Sequence, residues 1–117
     1  MIVLKTALLI SLGVMSPAER HHLVQAQAIV ESGVNQYAAG RAGERGAWQV
    51  IGRIWGRVPR SYPAQRAQHV KIMDTLVEEC CGDVPTAIRR YNGSGRATWV
   101  YLGKVRRKTI ELQILSV

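Results

Sequence analysis

Phenylalanine, internal repeats and low-complexity tracts are all absent from this sequence of 117 residues. With 47% hydrophobic and 21% charged residues, the composition is typical of a globular protein and excludes a disordered tail. A chain of this length buries roughly two thirds of its unfolded surface, which is enough for one core. We therefore predict a single domain over residues 1–117, in which three tryptophans and four tyrosines supply the aromatic packing.

Metal-ligand patterns and a disulfide framework are missing too. Cys80 and Cys81 are adjacent, and because a disulfide between neighbours is strained, we expect two free thiols that are buried or half-buried. His21 and His22 are neighbours whereas His69 stands alone, so the histidines lack the spacing of metal ligands. The sequence thus predicts no metal site and no cofactor.

Acidic side chains are scarce, with eight Asp and Glu against sixteen Lys and Arg and a net charge of +8. Such a charge favours a polyanionic partner, and nucleic acid, an anionic membrane and the bacterial cell wall all qualify. The basic residues are scattered apart from one cluster within 104–108, so the charge does not choose among these partners and also fits a solvated basic face. Motifs for base reading or stacking are absent, which argues against specific nucleic-acid binding.

The segment 1–18 opens with an apolar stretch that is too short to span a bilayer, so no transmembrane span is predicted. Two interpretations of this segment are open. With Lys5 near its front, it has the features of a signal peptide that is cleaved after small residues. Alternatively, residues 2–13 form a buried first helix, because Ser16-Pro17-Ala18-Glu19 make a capping box that opens a second helix. We favour the retained first helix.

Helical spacing of apolar residues predicts an all-α fold for the rest of the chain, with at most a small irregular or β insertion. The helix that follows the capping box runs to about Ser32 and is stopped by Gly33. Glycine and alanine in 34–46 indicate a loop or short hairpin. The other predicted elements are a short helix within 48–55, helices at about 63–81 and 84–91, a non-helical stretch at 92–95 and a last helix from about 96, with no assignment for 109–117.

Glu31 falls in the last turn of the helix that ends near Ser32. There a carboxylate faces the negative end of the helix dipole, which disfavours its charge. If the surroundings are apolar as well, the pKa of Glu31 rises further. The position therefore suits an acid that keeps its proton near neutral pH.

Three short motifs occur in the order and at the spacing of one family: Glu31-Ser32-Gly33, Gly46-Ala47-Trp48-Gln49 and Arg90-Tyr91-Asn92-Gly93. With them the sequence resembles the soluble lytic transglycosylase-like branch of the lysozyme superfamily, which includes goose-type lysozymes. The family has Gly-Leu-Met-Gln and Ala-Tyr-Asn-Ala-Gly at the second and third motifs, and often Tyr and Val where Tyr101 and Val105 stand. Each motif alone is a weak signal, whereas the ordered trio, within residues 13–106, is a stronger one. The resemblance implies a lysozyme-like domain.

The resemblance also implies a peptidoglycan lytic transglycosylase, a muramidase that cleaves the β-1,4 bond between N-acetylmuramic acid and N-acetylglucosamine. One glutamate, here Glu31, would protonate the glycosidic oxygen and then take the proton of the muramic acid C6 hydroxyl, which closes onto C1 as a 1,6-anhydro product. Trp48 and Tyr91 would supply the apolar pocket that raises the pKa of such an acid. The expected partner is the glycan strand, reached in the periplasm or cell wall by export or as a component of a phage virion or secretion apparatus.

The substrate-binding residues implied by the resemblance are Ser32, Trp48, Gln49, Tyr91 and Asn92. Gln49 and Asn92 would hold N-acetyl or hydroxyl groups, and Tyr91 would hydrogen-bond and orient Glu31. Simpler interpretations stay open. They are loop and helix capping for the two amides, core packing for the tyrosine, and exposure to water for the glutamate.

Three positions depart from the family pattern. Gly40 stands where the family usually has a serine that lines the sugar cleft, Trp48 replaces methionine, and Arg90 replaces a small residue. Because one polar contact with the substrate is then in doubt, the alternative function is a catalytically weakened structural or wall-binding module of a virion or secretion complex. Hydrolysis by two carboxylates is the rival chemistry. Glu44 is the acidic residue placed to help, although a solvated loop charge between arginines is the simpler interpretation of it.

Overall fold

The structure is a computed structural model and describes residues 15–116 of the chain. Its elements, in chain order, are helix α1 (Pro17–Ser32), strands β1 (Glu44–Arg45) and β2 (Val50–Ile51), short helix α2 (Gly52–Trp55), and helices α3 (Tyr62–Glu79), α4 (Val84–Asn92) and α5 (Ala97–Leu115). The predicted all-α fold with a small β insertion is therefore confirmed. The two interpretations of the segment 1–18, including the predicted first helix, concern residues that lie for the most part outside the described ones.

Helix α1 begins and ends where local signals predict. The Ser16 hydroxyl accepts a hydrogen bond from the Glu19 backbone N–H (3.2 Å), and the Glu19 carboxylate accepts one from the Ser16 N–H (3.3 Å), which completes the predicted capping box. At the other end Gly33 takes the left-handed conformation, with φ 68°. Since the helix ends at Ser32, Glu31 lies in its last turn, as predicted.

Two boundaries near the later motifs differ from the predictions. The short helix begins at Gly52 and not near Trp48, because residues 46–49 form a turn in which Gln49 has a positive φ of 50°. Asn92, predicted to be non-helical, is the last residue of α4. The two strands pair antiparallel on either side of the turn, which makes the glycine-rich insertion a small hairpin.

Helix α5 continues to Leu115, through most of the tail that has no clear pattern in sequence. Its buried stripe accounts for this length. Val105, Thr109 and Leu112 recur at helical spacing and pack on the core. None of the helices in the described part of the chain has both the length and the apolar character that crossing a membrane requires.

The core lies where α1 packs against α5 and where α4 packs against α3 and α5. Small residues allow the close approach, since Ala26 and Ala87 are completely buried. Trp48, from the turn of the hairpin, enters the same core with 1% of its surface exposed. Its indole N–H donates to the Val24 carbonyl (2.9 Å), which anchors the hairpin to α1.

Gln65 on α3 is a second anchor for the hairpin, with 3% of its surface exposed. Its Oε1 accepts a hydrogen bond from the Ala47 N–H at 2.9 Å. Its Nε2 donates to the carbonyls of Pro59 (2.9 Å) and Gln36 (3.1 Å). A Cβ at Gly46 would lie 2.6 Å from Gln65 Oε1, and Gly46 has a positive φ of 83°. The glycine of the second motif is thus required by the close approach of this side chain.

The two cysteines are both free, as predicted, and Cys80 is half-buried. Cys81, in the turn after α3, is exposed, so the expectation of a buried or half-buried thiol is wrong there. The Arg90 guanidinium donates to Cys80 Sγ (3.6 Å) and to the Glu79 carboxylate (3.3 Å). These contacts connect the end of α3 to the end of α4.

Replacing Gln65 with leucine should lower the free energy of unfolding by about 2–4 kcal/mol, because the Ala47 N–H and two carbonyls lose their buried partner. Urea denaturation of the wild type and the variant measures the difference. Gln68→Leu on the same helix is the control, since Gln68 makes two longer bonds of 3.2 and 3.3 Å, and a smaller loss is expected. Equal losses in the two variants would contradict the role of Gln65 as an anchor.

Candidate active site

Glu31 lies in a cleft of about 380 Å³. One wall comes from the hairpin and α2, and the other from the C-terminal ends of α3 and α4. The walls carry Glu44, Gln49, Val50, Ile51, Ile54 and Trp55 on the first side and Leu76, Glu79, Arg90, Tyr91 and Asn92 on the second. The cleft therefore brings the end of α1 together with residues of the second and third motifs.

The pKa of Glu31 is raised from 4.5 to about 7. Burial is the largest cause, because surroundings of low dielectric constant disfavour the charged carboxylate. A hydrogen bond from Tyr101 lowers the pKa in part, and repulsion from Glu44 raises it. Near neutral pH the protonated and ionised forms of Glu31 are therefore both populated. The upward direction is the one expected from the sequence.

Tyr101, and not Tyr91, is the tyrosine whose hydroxyl group lowers the pKa of Glu31. The Tyr91 hydroxyl donates instead to the Trp48 backbone carbonyl at 2.5 Å, which ties α4 to the turn of the hairpin. Tyr91 does line the cleft, and burial together with the charge of Glu31 raises the pKa of its phenol. The predicted contact between Tyr91 and the acid is corrected accordingly. The sequence placed Tyr101 at a family position without suggesting this role.

Gln49 and Asn92 both line the cleft, from opposite walls. The Gln49 Nε2 donates to the Gly46 carbonyl at 2.9 Å, so one end of the amide stabilises its own turn. Asn92 is exposed at the last position of α4. The two predicted substrate-binding amides are thus placed to contact a ligand from both sides of the cleft.

Trp48 and Ser32 are predicted substrate-binding residues whose side chains do not line the cleft. The Trp48 ring is buried and stacks on His69, with 5.4 Å between the ring centroids. The Ser32 hydroxyl donates to the Ala47 carbonyl (2.7 Å) and accepts from the Asn35 N–H (2.9 Å). Both residues hold the turn of the hairpin against α1, so their placement gives them a structural role in place of the predicted contact.

Ile54 and Trp55 form the apolar part of the cleft wall that was expected from Trp48. Ile54 is 58% exposed, whereas Trp55 packs partly against the core. Neither residue is among the site residues predicted from the sequence. The sequence signal for them was an isoleucine next to a tryptophan in a predicted short helix. A helix of about one turn cannot bury two such large apolar side chains completely.

Glu44 fills the space beside Gly40, where the family pattern has a serine. A Cβ at Gly40 would lie only 2.6 Å from the Glu44 carboxyl carbon. The same carboxylate accepts a hydrogen bond from the Ala42 N–H at 2.7 Å. Glu44 is half-buried and lines the cleft with Glu31, so its interpretations as a solvated loop charge and as a second carboxylate both stay open.

The chain matches no family model, no curated protein and no solved structure. Membership of the family that the three motifs resemble therefore stays a prediction. Among residues 15–116, no group of three or more His, Cys, Asp and Glu side chains is placed to hold a metal ion. The polar groups that line the cleft are the carboxyl groups of Glu31, Glu44 and Glu79, the guanidinium of Arg90, the phenol of Tyr91 and the amides of Gln49 and Asn92.

Two substitutions should move the pKa of Glu31 from about 7 in opposite directions. Glu44→Gln removes the repulsion and should lower the pKa, whereas Tyr101→Phe removes the hydrogen bond to the carboxylate and should raise it. Titration of the glutamate carboxyl carbons by ¹³C NMR measures each midpoint. Glu78→Gln, at an exposed site on α3, removes the same charge as Glu44→Gln and serves as the control, with no shift expected. A wild-type midpoint near 4.5 would show that the acid is not buried.

Proposed function

We propose that this protein is a lysozyme-like peptidoglycan lytic transglycosylase that cleaves the β-1,4 bond between N-acetylmuramic acid and N-acetylglucosamine. The observation that carries the proposal is the convergence of Glu31, with its pKa of about 7, and three motif residues in one cleft. Those residues are Gln49, Tyr91 and Asn92. Gln49 and the adjacent pair Tyr91 and Asn92 are far from each other and from Glu31 in sequence, and they line the same cleft as the acid.

In the proposed reaction the protonated Glu31 donates its proton to the glycosidic oxygen while positive charge develops on the muramic acid ring. A pKa of about 7 keeps the acid protonated in many molecules at neutral pH and still strong enough to donate. Departure of N-acetylglucosamine leaves Glu31 ionised. The carboxylate then takes the proton of the C6 hydroxyl as the C6 oxygen bonds to C1. The product is a 1,6-anhydro sugar, and Glu31 regains its proton.

The surroundings of Glu31 suit both halves of this cycle. Burial favours the neutral acid before the first step, and the hydrogen bond from Tyr101 stabilises the carboxylate between the steps. Ile54 and Trp55 offer an apolar surface to a sugar ring. An internal hydroxyl attacks more readily than water in such a site, because it is already in place.

Hydrolysis is a second candidate reaction, and the position of Glu44 is the observation that favours it. Its carboxylate lines the same cleft and acts electrostatically on Glu31, as the second carboxylate of a hydrolase would. In that case Glu44 activates a water molecule as Glu31 protonates the leaving group. The two reactions differ in their products, which are a reducing muramic acid end for hydrolysis and an anhydro end for transglycosylation.

The basic surface supports action at the cell wall. Arg45, Arg53 and Arg57 line a depression next to the cleft, and Ile51 belongs to both. All three arginines are exposed. The protein has a net charge of +8, and these arginines suit the carboxylates of peptide stems and other anionic polymers of the wall. We therefore propose action in the periplasm or cell wall, after export or after delivery by a phage virion or secretion apparatus.

Glu31→Gln should reduce the release of soluble muropeptides from purified sacculi by about 10²-fold or more, because the amide that replaces the carboxyl group cannot act as the general acid. Wild-type activity should fall as pH rises through about 7, since the acid loses its proton there. Mass spectrometry of the digests measures both effects, with Glu78→Gln as the control. Release at the wild-type rate by Glu31→Gln would refute the proposal, and binding to sacculi without any cleavage would select the wall-binding module instead.

Glu44→Gln should separate the two reactions. If transglycosylation operates, anhydro ends persist, the rate changes by less than about tenfold, and the alkaline limit of activity moves to lower pH because repulsion of Glu31 is removed. If Glu44 is the base of a hydrolase, the reducing ends made by the wild type should decline by about 10²-fold or more. The measurement is the ratio of anhydro to reducing muramic acid ends in matched digests. We expect the first outcome.

A further inference from the structure

A chain of buried polar side chains runs behind Glu31 and consists of His69, Gln27 and Tyr101. Gln27 and His69 are completely buried, and Tyr101 is 6% exposed. The His69 Nε2 lies 2.9 Å from the Gln27 Oε1, and the Gln27 Nε2 lies 3.5 Å from the Tyr101 hydroxyl. The Tyr101 hydroxyl in turn interacts with the Glu31 carboxyl group and lowers its pKa. The chain thus joins α3, α1 and α5 and ends at the acid.

The direction of these hydrogen bonds follows from the chemistry of their partners. The Gln27 Nε2 also lies 3.5 Å from the Met73 sulfur, which is able to accept but not to donate, so the NH₂ end of the amide faces Met73 and Tyr101. The Gln27 oxygen must then face His69, whose Nε2 carries the hydrogen and donates it. Because the Tyr101 oxygen accepts from Gln27, its own hydrogen is available to Glu31. Every donor in the chain points towards the acid.

The ring of His69 is held between two residues of the motifs. It stacks on Trp48 with 5.4 Å between centroids and meets the edge of Tyr91 at 4.9 Å. Burial, and then the charge of Arg66, lower the pKa of His69 to about 3. The imidazole therefore stays neutral at the pH at which Glu31 titrates, and the direction of the chain does not reverse there.

A purely structural core would not favour this arrangement. Buried polar groups cost stability unless all of them are bonded, and among the described residues the His69 Nδ1 has no hydrogen-bond partner. Apolar side chains of similar volume would fill the same space without that cost. What the polar chain adds is a fixed position for the one hydroxyl that reaches Glu31.

We propose that Gln27 and His69 are positioning residues, which orient the Tyr101 hydroxyl so that its hydrogen is directed at the Glu31 carboxyl group and holds the acid in one arrangement. This role deepens the proposed function and rests on it as far as catalysis is concerned. The effect on Glu31 itself is a property of the folded protein and is measurable without substrate. Gln27 and His69 act only through Tyr101.

The test is a ¹³C NMR titration of Glu31 in the wild type, Gln27→Met, Tyr101→Phe and the double variant. Methionine keeps the length of the side chain and removes its amide. We expect Gln27→Met to raise the midpoint of Glu31 by about half a pH unit, less than Tyr101→Phe does, because the tyrosine loses its orientation but not its hydroxyl. In the Tyr101→Phe background, Gln27→Met should cause no further shift. An unchanged midpoint in Gln27→Met, or an equal shift in both backgrounds, would overturn the proposal.

Thr109→Val is the matched control for a lost buried hydrogen bond. Thr109 is 5% exposed and bonds the Val105 carbonyl at 2.7 Å, about two turns along α5 from Tyr101. The Thr109→Val substitution should lower the free energy of unfolding without moving the titration midpoint of Glu31. If the control moves the midpoint as Gln27→Met does, general loosening of the fold explains the effect and the positioning role is wrong.

A second pair of variants tests the far end of the chain and covers the case in which Gln27→Met does not fold. His69→Phe keeps a ring between Trp48 and Tyr91 but removes the donor to Gln27, and it should raise the midpoint of Glu31. His69→Gln restores an N–H donor and should return the midpoint towards the wild-type value. Equal midpoints in the two variants would contradict the proposal.

Activity on sacculi separates this inference from the proposed function. If the positioning role and the proposed function both hold, Gln27→Met should lower kcat by about tenfold. KM should stay unchanged, since the substrate contacts are made by residues of the cleft and not by Gln27. If the wild type cleaves nothing but the midpoints shift as expected, the proposed function fails and the positioning of Glu31 stands. If the wild type cleaves and the midpoints do not shift, the proposed function stands and the positioning role is wrong.

Discussion

The partial burial of one carboxyl group, that of Glu31, is the constraint on which the properties of the cleft depend. Glu31 sits at the end of α1, where an ionised carboxylate receives no help from the helix dipole, and its largest pKa shift comes from the loss of water. That loss requires walls close to the acid. The hairpin with α2 supplies one wall, and the ends of α3 and α4 supply the other.

The turn at residues 46–49 is the junction that keeps those walls in place. Three helices reach its backbone by side-chain hydrogen bonds, from Ser32 and Tyr91 to carbonyls and from the Ala47 N–H to Gln65. Trp48 completes the attachment by inserting its ring into the core. Much of the motif pattern therefore maintains the shape of the cleft, and fewer of the motif side chains line the cleft than the resemblance implies.

Gly40 and the Glu44 carboxylate lie in direct contact. The missing side chain at Gly40 leaves room for the Glu44 carboxylate, which lies where a Cβ would collide with it. The cleft thereby loses the serine hydroxyl of the family pattern and gains a negative charge that raises the pKa of Glu31. The departure from the family pattern at Gly40 thus alters the electrostatics of the acid, which bears on the choice between the two proposed reactions.

The features that the sequence by itself determined are those set by neighbours within a few positions. The capping box at Ser16 and the left-handed Gly33 define α1, and through it the place of Glu31, because both signals act over one helical turn. The helical periodicity likewise identified the fold class. Only the tertiary structure decided which tyrosine meets the acid, that Trp48 turns inward, and that His69 and Gln27 join behind Glu31. These outcomes depend on how α1, α3, α4 and α5 pack, and residues that are tens of positions apart carry no local signal of which side chain will face which.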